Sequence, residues 1–298
     1  MNKSLVTIII PTYNRHDYLG ETLDSVLGQS YQNWECIIVD DGSNDYTKEL
    51  VEWYIARSTR IKYFERPDNL PKGANSCRNY GYELSQGEYI MWLDDDDLLD
   101  AKKLEKQLEV AIPGSTCLMT CAWGRLVVDK TNRMDLSIYR DYRDSINLLV
   151  DYAKLEYFPP HVFLVSRLLV EKSEAWNTDL KINQDGVFFA NIILNASQIK
   201  FAPGTQVYYR AHTGNNTSNL NSKSKAYDLI KSWNIIEAMI PRDRKKEVSV
   251  FLFNIRRFIY RRLKEEGYRI VILKNLFQFR YYVMEDLEKK FKVKSTHK

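Results

Sequence analysis

Along the first 112 residues, short β-branched apolar runs alternate with stretches whose apolar residues recur every three or four positions. Leu5-Val-Thr-Ile-Ile-Ile10, closed by Pro11, predicts a buried strand. Residues 16–29 carry Leu19, Leu23, Val26 and Leu27 at helical spacing. Residues 35–39 predict a second buried strand, stopped by Asp40-Asp41-Gly42-Ser43. Asn44 or Asp45 then caps a helix to about residue 57, with Leu50, Val51 and Tyr54 on its inner face. A third strand at 61–64, a helix at 73–85, a fourth strand at 88–93 and an Asp100-capped helix to about 110 complete the series. Such alternation predicts an α/β fold with a mostly parallel sheet flanked by helices on both faces. Ligands bind these sheets beyond the carboxyl ends of the strands. Pro11 to Arg15, Asp40 to Ser43 and Asp94 to Asp97 all fall there.

Past residue 112 the pattern is less regular. Residues 117–128 read as a strand pair around Trp123-Gly124. Helices are expected at about 143–154, 166–174 and 184–195, and a short strand at 207–210. From Lys223 the chain reads as mostly helix, with Val248, Phe251, Leu252, Ile255, Phe258, Ile259 and Leu263 at helical spacing among Arg256, Arg257, Arg261, Arg262 and Lys264. The organisation expected is therefore 1–222 as one body (1–112 and 113–222 as its two halves) and 223–298 as a helical extension.

Charge sharpens that division. The 298 residues carry a net charge of +4, but Lys223 onward holds 20 Lys and Arg against 9 Asp and Glu, or +11. That leaves −7 on the first 222 residues. A basic amphipathic segment suits an anionic lipid surface. The competing reading packs its apolar faces on the main body or on a second subunit and leaves the basic faces in water. No motif for nucleic acid is present, so none is expected as a partner. Hydrophobic residues at 44% and charged residues at 28% exclude disordered, collagenous and disulfide-scaffold classes. The apolar run at 6–11 is too short for a membrane span or a leader core. Cys36, Cys77, Cys117 and Cys121 form no C-x-x-C pair and read as reduced thiols. A cytoplasmic protein, at the inner face of the membrane if the extension binds lipid, is expected. The Asn195 and Asn215 sequons then carry no meaning.

Four consecutive aspartates, Asp94 to Asp97, follow the apolar run Tyr89-Ile-Met-Trp-Leu93. Like charges this close raise one another's pKa, so the cluster favours a counter-cation. The bland alternative is a solvated loop with a helix cap. Hard carboxylate oxygens suit Mg²⁺ or Mn²⁺, bound through one or two carboxylates with substrate phosphates. No G-x-x-x-x-G-K-[ST] and no G-x-G-x-x-G follows the first strand, which excludes a P-loop enzyme or an ordinary dinucleotide-binding domain.

Pro11-Thr-Tyr-Asn-Arg15, Val39-Asp-Asp-Gly-Ser43, Cys77-Arg-Asn-Tyr-Gly81 and Gly87-Glu-Tyr-Ile-Met-Trp-Leu-Asp-Asp-Asp-Asp97, in that order and spacing, resemble the family 2 glycosyltransferases. The match is strong over 5–112 and weaker to about 218. The resemblance implies a GT-A fold and transfer of a sugar from a nucleotide diphospho-sugar, with inversion, to a glycan or lipid-linked acceptor of surface polysaccharide or glycoconjugate synthesis. It implies that Pro11, Thr12, Tyr13, Asn14 and Arg15 line the nucleotide site, with Tyr13 stacked on the base and Asp41 on the base edge, which favours a UDP-sugar. Asp94 and Asp96 fall on the D-x-D positions. Asp96 would bind the divalent metal with Asp94, and the ribose-side role stays open between Asp94 and Asp95. Arg78 would lie near the nucleotide or pair with the acidic rim.

An inverting displacement needs a base on the acceptor hydroxyl. The family supplies it as the Asp of a Glu-Asp pair opening a helix. Here Asn183-Gln-Asp-Gly-Val-Phe-Phe189 puts Gln184 in place of the Glu and keeps Asp185, the expected base. Tyr209-Arg-Ala-His212 resembles a later family segment, in which His212 would touch the metal or the diphosphate. His161 receives no role. Two rivals remain: a non-catalytic sugar-nucleotide-binding scaffold, for which Gln184 leaves room, and a sugar nucleotidyltransferase, which the glycine-free first loop opposes. The sugar, the acceptor and any oligomeric state are not legible.

Overall fold

The computed structural model describes residues 4–127, 130–154, 156–211 and 219–295. Its strands are β1 (Val6–Thr12), β2 (Trp34–Asp40), β3 (Ile61–Glu65), β4 (Tyr89–Trp92), β5 (Leu98–Leu99), β6 (Cys117–Val127), β7 (Lys130–Arg133), β8 (Leu164–Ser166) and β9 (Gln198–Arg210). They form one mixed sheet in the order β3-β2-β1-β4-β8-β6-β9-β5, with β7 paired to β6. The β3-β2-β1-β4 half is parallel. β8 runs antiparallel to both β4 and β6, β9 runs parallel to β6, and β5 closes antiparallel on β9. The helices are α1 (His16–Leu27), α2 (Thr47–Ile55), α3 (Ala74–Leu84), α4 (Lys103–Val110), α5 (Ile146–Asp151), α6 (Arg167–Glu171), α7 (Gln184–Asn195), α8 (Lys223–Met239), α9 (Ser249–Glu265), α10 (Arg269–Lys274) and α11 (Leu276–Ser295).

Every residue of β1 and β2 is buried, which is why these strands read as unbroken apolar runs rather than alternating ones. β1 also runs through Pro11 instead of stopping at it. The Ile9 carbonyl accepts from Leu93 on the β4 side, so Pro11, of the same parity, turns its missing N–H that way too, beyond the last β1–β4 pair, Ile9 with Trp92. No ladder bond is lost.

The second half departs further from expectation. The strand pair around Trp123-Gly124 is one continuous strand of 11 residues, β6. Gly124 marks a close approach, not a turn: a Cβ there would sit 2.5 Å from the Asn132 carbonyl oxygen of β7. The short strand at 207–210 is the end of β9, 13 residues long and paired with β6 across a bulge at Cys121/Ala122. The four cysteines are free and buried, and burial pushes their thiols up, to about 11 for Cys117 and about 12 for Cys77 and Cys121.

The basic extension packs on the body through its inner faces. Ile240, Val248 and Phe251 join the main core. Leu229, Ile259, Leu263, Ile272 and Phe279 form a second cluster with Ile182, which precedes α7. The packing reading thus describes the inner faces. No helix among the described residues is long and apolar enough to cross a membrane.

Candidate active site

The loops after β1 and β2 are tied to each other before they offer anything to a ligand. Asn14 sits in the left-handed region at φ 52°. Its N–H donates to Ser43 Oγ (2.9 Å), and its side-chain oxygen accepts from the Asn44 N–H (2.8 Å). The Asp40-Asp41 pair divides its labour. Asp40 accepts from Ser43 N–H, Ser43 Oγ and Tyr63 Oη at 2.7–2.8 Å and so builds the turn. Asp41 faces the cavity and accepts from Arg66 Nε at 2.5 Å. Arg66 follows β3 directly and also donates to the carbonyls of Pro67 and Leu70. Tyr13 is 43% exposed, with Lys72 Nζ 4.3 Å above its ring.

α3 is set by the Cys77-Arg-Asn-Tyr-Gly81 block. A Cβ on Gly81 would meet Ile9 Cγ2 at 2.5 Å, so only glycine allows this close packing on β1. Asn79 exchanges two hydrogen bonds with the backbone of Trp176. Arg78 lies over the Trp176 ring and donates to Asp94 at 2.7 Å.

The four aspartates have four different surroundings. Asp94 is engaged by Arg78. Asp95 is buried, and burial next to Asp96 pushes its carboxyl up to about 7, against the opposing Thr12 hydroxyl and Arg15. The Arg15 guanidinium stands 3.7 Å from Asp95 and 3.6 Å from Asp96. Asp97, fully buried, lies 2.9 Å from His161 Nδ1 and accepts from the Arg210 N–H at 2.8 Å. Arg210 in turn donates from Nε to the Asp96 carbonyl (2.8 Å) and from its guanidinium to Glu21 (2.6 Å).

Asp185 lies in the first turn of α7, behind Asn183 at φ 56°. Asn183 is anchored to α8 through Ser232 Oγ (3.0 Å). The Asp185 side chain is open to the cavity. Desolvation by the surrounding walls raises its carboxyl above the usual range, more than the Gly186 N–H and Arg78 lower it.

One cavity of about 470 Å³ gathers these groups. Pro11, Thr12, Tyr13, Arg15, Asp41, Arg78, Asp94, Asp95, Asp96 and Asp185 all line it. Asn14 does not; it braces the loop behind. His212 lies outside the described residues. Pro160, Tyr209 and Arg210 also line it, beside Gly73, Ala74, Ile182, Asn183 and Gln184, and no local signal marks these three as site residues. Arg66 was missed as well, although its place just past β3 on the same rim was a signal.

Among the described residues, no group of three or more His, Cys, Asp and Glu side chains is gathered as a cage for an ion. What the loop offers instead is Asp94, Asp95 and Asp96 on one cavity, with Asp94 already paired to Arg78 and Asp95 buried and resisting ionisation. That donor set fits a hard divalent cation bound through one or two carboxylates, with substrate phosphates and water supplying the rest.

The Asp95 environment has a measurable consequence. Its folded pKa lies above its unfolded value, so its contribution to stability is complete below about pH 4 and is lost as pH rises through about 7. The ligand-free protein is therefore expected to lose about 4 kcal/mol through this group between about pH 3 and pH 8, of which roughly 2.5 kcal/mol falls between about pH 5 and pH 8. Asp95→Asn should be more stable than the parent at the upper pH and show a flatter dependence. Urea unfolding at both pH values measures this, and an unchanged slope would refute the assignment.

The sequence model of Glycosyl transferase family 2 matches residues 7–173. TuaG of Bacillus subtilis strain 168, a glycosyltransferase assigned to teichuronic acid biosynthesis, is 40% identical over 129 residues, covering 43% of this chain and 50% of TuaG. The chain thus spans about half the length of that curated relative. In structure, residues 1–349 of Staphylococcus aureus TarS in complex with UDP-GlcNAc superpose with a TM-score of 0.66 at 19% identity, covering 84% of this chain and 72% of that one. The mannosyltransferase PcManGT of Pyrobaculum calidifontis, in complex with GDP-Man and Mn²⁺, gives 0.58 at 19% identity, covering 84% and 69%.

Proposed function

Since the chain belongs to glycosyl transferase family 2 and has the GT-A fold, we propose that it transfers a sugar, with inversion, from a UDP-sugar to a glycan or lipid-linked acceptor of surface polysaccharide or glycoconjugate synthesis. One observation carries this reading: Tyr13, Asp41 and the aspartate loop share a single cavity with Asp185, whose carboxyl is raised by desolvation. The UDP-GlcNAc in TarS and the assignment of TuaG to teichuronic acid biosynthesis support the donor and pathway class.

In this reading the exposed face of Tyr13 takes the base, and Lys72 moves off the ring. Asp41, fixed by Arg66, accepts from the uracil ring N–H. Asp96, with Asp94, would hold Mg²⁺ or Mn²⁺, whose chemistry is to neutralise the diphosphate as it leaves, and Asp94 or Asp95 would face the ribose side. Arg15 lies where it balances Asp95 and Asp96. Asp185 takes the proton of the acceptor hydroxyl as that oxygen attacks the anomeric carbon from the face opposite the diphosphate. Its raised pKa brings it closer to the working pH, which suits a base. We place the reaction in the cytoplasm.

Calorimetric titration of UDP, GDP, TDP and CDP, each with and without Mn²⁺, tests the reading. Metal-dependent binding of UDP above the others is expected; no binding of any nucleotide refutes it. Arg66→Met should lower UDP affinity about tenfold or more, because a charge-assisted bond that fixes Asp41 is worth ~1.5–3 kcal/mol. The same titration should show the preference for uracil narrowing. An unchanged preference would mean Asp41 does not read the base.

A further inference from the structure

Ten of the fifteen large apolar side chains exposed on the described surface lie between Val250 and Leu287, on the basic extension. They are not the residues that pack it on the body. In α10 and α11 the inner face, Val271, Ile272, Phe279 and Tyr282, is buried. A second stripe, Leu273 near the end of α10 followed by Phe277, Tyr281 and Met284 at i, i+4 and i+7 of α11, is 64, 84, 60 and 56% exposed. An amphipathic helix on a globular body needs one apolar face, not two. Exposed Arg269, Lys274 and Arg280 border this bare stripe.

We infer that the outer face of α10–α11 is an interfacial surface that lies on an anionic lipid bilayer, with Leu273, Phe277, Tyr281 and Met284 entering the headgroup boundary. Charge selects this occupant. The extension from Lys223 carries +11 and the rest of the chain −7. A second copy docked through the same face would set +11 against +11 and repel. An anionic bilayer attracts the extension and repels the body, so it fixes the orientation as well as the contact. The protein would lie on the membrane rather than span it, since no described helix is long and apolar enough to cross. The inference is independent of the proposed sugar transfer.

Co-sedimentation of the full chain with vesicles tests it, without nucleotide or metal. Binding to vesicles of equal parts phosphatidylglycerol and phosphatidylcholine is expected, weakened but not abolished by salt, with little binding to phosphatidylcholine alone. Leu273→Asp/Phe277→Asp should cut that binding at least about tenfold with an unchanged melting temperature, since both side chains already face solvent. Should that variant fail to fold, Leu273→Ser/Phe277→Ser replaces it, with the same expectation. Lys274→Glu/Arg280→Glu should reduce the salt dependence. Three results would overturn the proposal: no binding by the parent chain, equal binding by parent and variant, or a dimer in sedimentation equilibrium that the Asp variant dissolves while vesicles stay unbound. The last would assign the face to a second copy.

Discussion

Asp185→Asn is expected to lower the rate of sugar transfer by about 10²–10⁴-fold, the usual contribution of a general base, while UDP affinity and the melting temperature stay near the parent values. The split follows from where Asp185 sits. It is in the first turn of α7, lines the same cavity as Tyr13, Asp41 and the aspartate loop, and its side chain is open to that cavity rather than tied into the core. Asparagine keeps its shape and loses only its capacity to take a proton. Desolvation raises the Asp185 carboxyl, so parent activity should climb with pH through a limb displaced above the ordinary carboxylate range as the base ionises. That limb should vanish from the residual activity of the variant. Retained transfer would move the base elsewhere. Lost UDP binding would make Asp185 a binding residue and return weight to the scaffold reading that Gln184 keeps open.

What the sequence disclosed, and what it withheld, divides by range. β1 to β4 with α1 to α4 were readable because each signal is local: a buried parallel strand is a contiguous apolar run, and a helix on it carries its own period. β5 and β8, of two and three residues, are too short to carry a pattern. Gly124 looked like a turn because a glycine demanded by a neighbouring backbone and one demanded by a turn are the same letter. The site follows the same rule. Rim residues were legible as a set, since topology alone brings strand ends together. Their division of labour was not. Nothing local separates Asp40, which builds a turn, from Asp41, which faces the cavity. Arg66, His161 and Arg210 act on partners far along the chain, as in the Arg210–Asp97 bond between residues 113 apart.

His161→Phe should destabilise the protein by about 1–3 kcal/mol, the cost of leaving the buried Asp97 carboxyl without its polar neighbour. His161 and Asp97 are both fully buried, 2.9 Å apart. Burial pushes the Asp97 carboxyl up, and His161 is the main group opposing that shift. Without the ring nitrogen, Asp97 must be protonated or stay charged in the core, and either costs stability. Asp97→Leu should cost a similar amount by a different route, because the Arg210 N–H loses its acceptor. The double variant should recover part of the loss, so that a double-mutant cycle gives a coupling well above the ~0.3–0.5 kcal/mol scatter of independent sites. Denaturant unfolding of the four proteins measures it, and strictly additive losses would show that the two side chains only fill space. The pair also bears on the site. Asp97 holds Arg210 by its backbone, and Arg210 returns a hydrogen bond to the Asp96 carbonyl. Asp95 and Asp96 are thus carried on a loop pinned from beneath by His161, a residue whose place in the sequence, beside Pro159-Pro160, suggests nothing of the kind. Asp97→Asn keeps an acceptor for the Arg210 N–H and should therefore retain more of both stability and metal-dependent UDP affinity than Asp97→Leu does. Equal losses in the two variants would place the weight of the loop on the His161–Asp97 contact rather than on the Arg210 N–H bond.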